Sequence, residues 1–344
     1  MSSASAPRPP DDSRLVSTGR LPDAATVQAL LDDSHLRFRD VERGAVSTVY
    51  PALSQVDPGL FGLTIVGVDG KAFSSGDSQA EFTLMSCAKP FAFALACQTY
   101  GVDEVCARVG VNATGLPFNS IAAVERDPRG RTNPMVNSGA LATTGLLADT
   151  DANSDWARLL DGLSGFAGRQ LHVDPATYAS ASGSNERNQA IALVLATRGA
   201  LSAAPSVVTD LYTRQSCVLV TTQDLATMGA TLADGGVNPV TGEQVIAPDV
   251  ARATLAVMTV AGLYETSGDW LLRVGLPAKS GISGALVTVS PGKGGLATFS
   301  PPLDETGNSV RGQLAAGDLA RHLGLDILAS AAPDGDVVPG RSAP

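Results

Sequence analysis

"FTLMSCAKPFAFALA" occupies residues 82–96, and a serine and a lysine stand three apart within it, Ser86 and Lys89, where an apolar run opens. On a helix, positions i and i+3 share a face, so these two side chains would be neighbours. Pro90 fits a first helical turn, where no amide proton is missed. That places Ser86 at a helix N-terminus, whose partial positive charge favours a developing anion. A lysine held there, partly desolvated, can lose its proton and serve as a general base. The plainer reading is a helix cap beside a lysine that reaches into water. The S-x-x-K pattern is weak alone, and it recurs at Ser290 and Lys293, where it reads as the tip of a hairpin.

Two further observations favour the chemical reading. The chain has 20 arginines and four lysines, and arginine stays protonated, so it could not replace a lysine base. No G-x-S-x-G elbow occurs, and His35, His172 and His322 lie in polar or helical contexts that read as surface. A serine nucleophile in this chain therefore needs a lysine to activate it. Downstream, "GLPAKSGISGA" sets Lys279, Ser280 and Gly281 at the opening of a strand. S-x-x-K followed by K-[ST]-G is the arrangement of serine β-lactamases and penicillin-binding proteins. There the second motif forms a wall of the pocket and offers a backbone amide to the oxyanion.

The 344 residues allow one large domain or two moderate ones, with 44% hydrophobic residues to build a core. A formal charge of -10 argues against nucleic acid or an anionic membrane as partner. Cys87, Cys97, Cys106 and Cys217 form no C-x-x-C pair and have no histidine at ligand spacing. Cys97 and Cys106 read as reduced, buried thiols. The N-terminal segment lacks a secretory apolar core and no apolar stretch is long enough to span a membrane, so a cytoplasmic protein is expected. No metal, nucleotide or flavin signature is present, and no cofactor is expected. The polar segments 1–20 and 331–344 read as disordered tails around a single catalytic domain over 21–330.

Working along that domain, "FGLTIVGVDGKAF" is two apolar runs around Asp69 and Gly70, a hairpin signal. A second hairpin is expected over 282–300. Residues 84–270 read as largely helical, with "AAVERDPRGRTNPM" and "PSVVTDLYTRQSC" as loops or caps. In the last segment Leu314, Leu319, Leu323 and Ile327 recur near helical spacing, which predicts a helix laid on a sheet. The order predicts an α+β fold: an antiparallel sheet from both chain ends (about 45–83 and 277–330) with a helical lobe (about 84–276) between.

The blocks "VDGKAFSSGD", "SCAKPFAFALA", "GLPFNS", "NPMVNSGAL", "ERNQAIA", "ADGGVNPVTGE", "VMTVAGLYETSGDWLLRVGLPAKSGISG" and "SPPLDETGNSVRG" occur in that order. Together they resemble the serine-dependent glutaminases, a family with the β-lactamase-like fold, over about Tyr50 to Leu325. The resemblance implies hydrolysis of L-glutamine to glutamate and ammonia through an acyl-serine, in a homodimer or homotetramer. It implies that Ser86 is the nucleophile, Lys89 the base and Tyr264 a proton shuttle. Tyr50, Asn137, Asn188 and Tyr212 match substrate-holding positions, and Ile282 matches the residue whose amide joins that of Ser86 in the oxyanion hole. Lys279 supports the site. Apart from the family, the asparagines could be caps and the tyrosines core aromatics.

One position departs from the pattern. The family carries a glutamate, expected to bind the substrate's α-ammonium, seven residues before the asparagine of "RN"; here that position is Ala181. Glu186 is close in sequence, but two residues before Asn188 it would point elsewhere on a helix. The loss leaves two alternatives to glutamine hydrolysis: an amidase for a γ-carboxamide without a free α-ammonium, or a non-catalytic ligand-binding homologue.

Overall fold

The computed structural model describes residues 19–148 and 151–330, so the segments expected as tails lie, apart from Gly19 and Arg20, outside the described residues. The first hairpin is β1 (Gly62–Gly67) and β2 (Ala72–Gly76), with Gly70 at φ 78° in its turn. Three short strands, β3 (Phe82–Thr83), β4 (His172–Val173) and β5 (Val218–Val220), make a small separate sheet. From the far end of the chain come β6 (Ala278–Ser280), β7 (Ala285–Ser290) and β8 (Gly294–Phe299). The main sheet runs β2-β1-β8-β7-β6 and is antiparallel throughout, so the two chain ends meet where β1 pairs with β8.

Every residue of β1 and β7 is buried, because helices cover both faces of the sheet. The strand period of two sends alternate side chains to two cores. Leu63, Ile65, Leu286 and Leu296 pack under the terminal helices Ala24–Phe38 and Val310–His322. Val66, Val287, Val289 and Ala297 face the helical side. There the helix Thr222–Ala233 lies directly on the sheet, although its sequence falls in the segment expected to form a separate lobe. Glycine permits that approach: a Cβ on Gly295 would stand 2.3 Å from the Ala226 carbonyl oxygen. Thr222 then shares a buried 2.7 Å hydroxyl bond with Thr64 of β1.

Three expectations need correction. "PSVVTDLYTRQSC" is mostly helix, Pro205–Ser216: Pro205 opens it, and Val208, Leu211, Tyr212 and Gln215 are buried at helical spacing. The final helix stops at His322, because Gly324 turns the chain at φ 62°, and Ile327 is 39% exposed beyond it. His322 is buried rather than on the surface, with Nδ1 2.8 Å from the Asp318 carbonyl oxygen. Ser290–Lys293 is a hairpin tip as expected, between β7 and β8, with Lys293 itself buried at 2% exposed.

Candidate active site

Strand β3 ends in a tight bend. Leu84 donates its N–H to Val218 O, Met85 takes a left-handed φ of 46°, and Met85–Ala88 forms a 3-10 turn before the helix Lys89–Tyr100. Ser86 therefore sits one turn before the helix rather than in its first turn, while Pro90 does lie in that first turn. From Phe82 to Ala94 every residue is buried except Ser86, which is half-buried. The bend lifts one hydroxyl out of an otherwise sealed segment. Lys89 is 1% exposed, and its Nζ donates to Asn137 Oδ1 at 2.6 Å. Burial, and then the charge of Lys279, push the Lys89 ammonium well below the ordinary lysine range.

Asn137 opens the helix Asn137–Leu147 and begins a directed chain of amides. Its Oδ1 also accepts from Tyr212 Oη at 3.4 Å, and its Nδ2 donates to Asn188 Oδ1 at 3.0 Å. Asn188 Nδ2 donates to Asn185 Oδ1 at 2.7 Å, and Asn185 Nδ2 to Thr213 Oγ1 at 2.8 Å. Thr213 gives its one hydroxyl proton to Thr209 O, so it accepts from Asn185 and fixes the orientation of every amide before it. The Tyr50 side chain also hydrogen-bonds Asn188.

The other wall is β6 and the turn before it. Tyr264 has φ 57°; with Met85 it is one of two non-glycine residues at positive φ among the described residues, and both adjoin Ser86. Its phenol engages the Ser86 side chain and donates to Ser280 O at 3.3 Å. Burial raises its pKa, so it remains protonated. Lys279 Nζ lies 4.0 Å from the Tyr264 ring centroid and donates to Gly262 O and Ser280 O, each at 2.8 Å. Burial lowers the Lys279 pKa to about 7. A Cβ on Gly281 would stand 2.9 Å from Leu84 O and 3.4 Å from Ser86 N, which shows how closely the strand end presses on the serine turn. Neither Ser86 N–H nor Ile282 N–H makes a backbone bond between elements among the described residues. Ser86, Asn137, Tyr50 and Ile282 are half-buried, and Lys89, Asn188, Tyr212, Tyr264 and Lys279 are buried behind them.

Ala181 is also at this cleft, 1% exposed in an apolar corner with Leu53, Met85 and Cys217, flanked by Tyr50 and Ile282. Glu186 is exposed at the start of the helix Glu186–Thr197, while Asn185 and Asn188 turn inward. Sequence reading missed Asn185 and Thr213, which orient the amide chain. Only an asparagine and a threonine hinted at them, and such residues read first as caps.

A half-exposed serine with a buried lysine one turn on, walled by a K-S-G strand of an antiparallel sheet between helices, is the β-lactamase-like architecture of serine–lysine acyl-transfer enzymes. The glutaminase family profile matches residues 44–328. A Yersinia pestis protein named glutaminase 2 is 54% identical over 94% of this chain and 96% of its own length. A solved structure described as probable glutaminase ybaS superposes with a TM-score of 0.88 at 41% identity, covering 90% of this chain and 100% of that one. A probable glutaminase from Bacillus subtilis, solved with 6-diazo-5-oxo-L-norleucine, gives a TM-score of 0.78 at 29% identity over 86% of this chain and 95% of that one. The chain belongs to the glutaminase family.

Proposed function

We infer that this chain carries out its family's reaction, hydrolysis of L-glutamine to L-glutamate and ammonia, through an acyl ester on Ser86. The observation that carries this reading is the single hydroxyl raised from a buried segment beside a lysine whose proton is weakly held. Lys89, in its neutral form, removes the Ser86 proton as Oγ attacks the γ-carbonyl carbon. The N–H groups of Ser86 and Ile282 stabilise the oxyanion. As the C–N bond breaks, the protonated Tyr264 phenol delivers a proton to the departing nitrogen and is reprotonated from Lys89. Water then attacks the ester, its proton passing to Lys89 and from there to Ser86 Oγ as the ester C–O bond breaks, and glutamate leaves with serine and base restored. Asn137, Asn188, Tyr50 and Tyr212 hold the substrate's amino-acid end. Lys279 keeps Tyr264 and β6 in place and disfavours a second cation at Lys89.

Mass spectrometry of enzyme quenched during turnover should find a glutamyl adduct on the Ser86 peptide. Ammonia release with no such adduct, from an enzyme that survives Ser86→Ala, would refute the acyl-serine route.

Ala181 favours a second reading of substrate range. The corner around it is apolar, which suits a γ-carboxamide whose α-nitrogen is absent, acylated or uncharged. A charge-assisted bond to an ammonium is worth about 1.5–3 kcal/mol. Ala181→Glu should therefore raise kcat/KM for glutamine roughly tenfold or more and depress it for N-acylglutamine. Equal responses of the two substrates would remove this reading.

Within the same proposal, residues 21–330 act as one catalytic domain of a cytoplasmic homodimer or homotetramer. No helix among the described residues is long and apolar enough to cross a membrane. Light scattering on the purified protein checks the assembly.

A further inference from the structure

The block "SPPLDETGNSVRG" (residues 300–312) contributes no residue to the cleft as described above, yet it contains a fully buried amide, Asn308. Its Oδ1 accepts from Ser280 Oγ at 2.5 Å. Its Nδ2 donates to Thr266 Oγ1 at 3.1 Å and to Thr306 Oγ1 at 2.9 Å. Both threonines have already committed their protons, Thr266 to Leu263 O and Thr306 to Asp304 Oδ1. They can only accept, so the orientation of the Asn308 amide is determined by its partners.

These partners belong to the two pieces of backbone that must be aligned at the cleft. Ser280 lies between Lys279 and Gly281, and its carbonyl oxygen receives both the Tyr264 phenol and the Lys279 ammonium. Thr266 closes the Tyr264–Thr266 turn, in which Tyr264 is left-handed. That conformation costs a residue with a Cβ about 1–2 kcal/mol, so it persists only when its surroundings hold it. Ser267 staples the turn internally, bonding Leu263 N and Tyr264 O. The Asn308 side chain ties the same turn to the strand.

We propose that Asn308 is a positioning residue that clamps the Tyr264 turn to the Lys279–Ser280–Gly281 strand and so sets the Tyr264 phenol and the Ile282 N–H relative to Ser86. This rests on the acyl-serine reading above. Asn308 touches no reacting atom, and it is itself placed by Asp304, whose Oδ1 accepts from the Asn308 N–H at 3.1 Å.

The test is a set of steady-state rates with glutamine and melting curves for Asn308→Ala, Thr266→Val and their double variant, beside Ser86→Ala. A misplacement of about 1 Å can cost roughly 100-fold, so Asn308→Ala should lower kcat by about 10–100-fold while KM stays within about threefold. Thr266→Val should lower kcat in the same way but less, and the double variant should be within about twofold of Asn308→Ala, because both act through one clamp. Folded Asn308→Ala with wild-type kcat, or a double variant whose losses multiply, would overturn the proposal. If Asn308→Ala does not fold, Thr266→Val and Ser280→Ala decide: wild-type kcat in both overturns it, and a fall in kcat at constant KM supports it. Activity surviving in Ser86→Ala would instead refute the acyl-serine reading, which separates the two failures.

Discussion

Two places in this molecule carry the same four-residue pattern, Ser86 to Lys89 and Ser290 to Lys293, and both lysines are buried. At the hairpin, Lys293 Nζ donates to Gly324 O at 2.5 Å and Ser290 Oγ to Leu325 O at 2.8 Å. Serine and lysine there bind the chain just beyond the final helix to the sheet, and burial alone lowers the lysine pKa. At the cleft, Lys89 has a second ammonium nearby, that of Lys279, and bonds a side-chain amide shared with Tyr212. The serine also differs: Ser290 is 3% exposed, while Ser86 is half-buried and open to the cleft. Spacing does not distinguish the two pairs. A second cation and an accessible hydroxyl do, and on the proposed mechanism these suit one pair to chemistry and leave the other a structural tie.

Substitutions can break this contrast. Ser86→Ala should reduce ammonia release by roughly 10³-fold or more with the melting temperature unchanged. Lys89→Arg keeps the cation but cannot become a neutral base, so it should retain less than about a tenth of the rate. More activity than that would put Lys89 in the same class as Lys293. Lys279→Met removes the charge that helps keep Lys89 neutral; Lys89 would then hold its proton to higher pH. The acid limb of kcat/KM should move upward in pH, and a downward shift or none would contradict the coupling. Lys279 itself also gives a stability signature. Its pKa falls from 10.5 to about 7 on folding, so the unfolded chain binds more protons between those values and stability should drop as pH falls through that window.

The hairpin pair should respond in the opposite sense. Lys293→Met should leave kcat/KM within about twofold and lower stability by about 1.5–3 kcal/mol, the worth of a hydrogen bond to a charged group. Ser290→Ala should lower it by about 1 kcal/mol. Denaturant midpoints measure both, and a change in rate larger than the change in stability explains would erase the distinction.

Sequence patterns carried some of these features and not others. The β1–β2 hairpin could be read because Asp69 and Gly70 punctuate alternating apolar runs. The helix Pro205–Ser216 was missed because Val, Thr and Ser weaken its local propensity; burial of Val208, Leu211 and Tyr212 decides it instead. In the site, Ser86, Lys89, Tyr264 and Lys279 stand in blocks with recognisable spacing. Asn185 stands outside those blocks, and the block that holds Asn308 gave no hint of its role, because each asparagine bonds a partner 28 residues away along the chain. An asparagine near a turn gives no sign of such a partner. The pattern at Ser290 was read as a hairpin tip, and it is one; what the sequence did not show is the burial of its lysine, which depends on Gly324 just beyond the final helix.

The pairing of β1 with β8 also has a consequence for how the protein is made. The nucleophile leaves the ribosome early, but Lys279, Ile282 and the strand that anchors them to β1 come near the end of the chain. At about 5–20 residues per second, roughly 10–40 s separate the synthesis of Ser86 from that of Phe299. Throughout that interval β1 lacks its central partner, and the serine faces no oxyanion wall. On the acyl-serine proposal, a nascent or prematurely terminated chain would lack the proposed oxyanion wall, and activity would begin only when the final strands close the sheet.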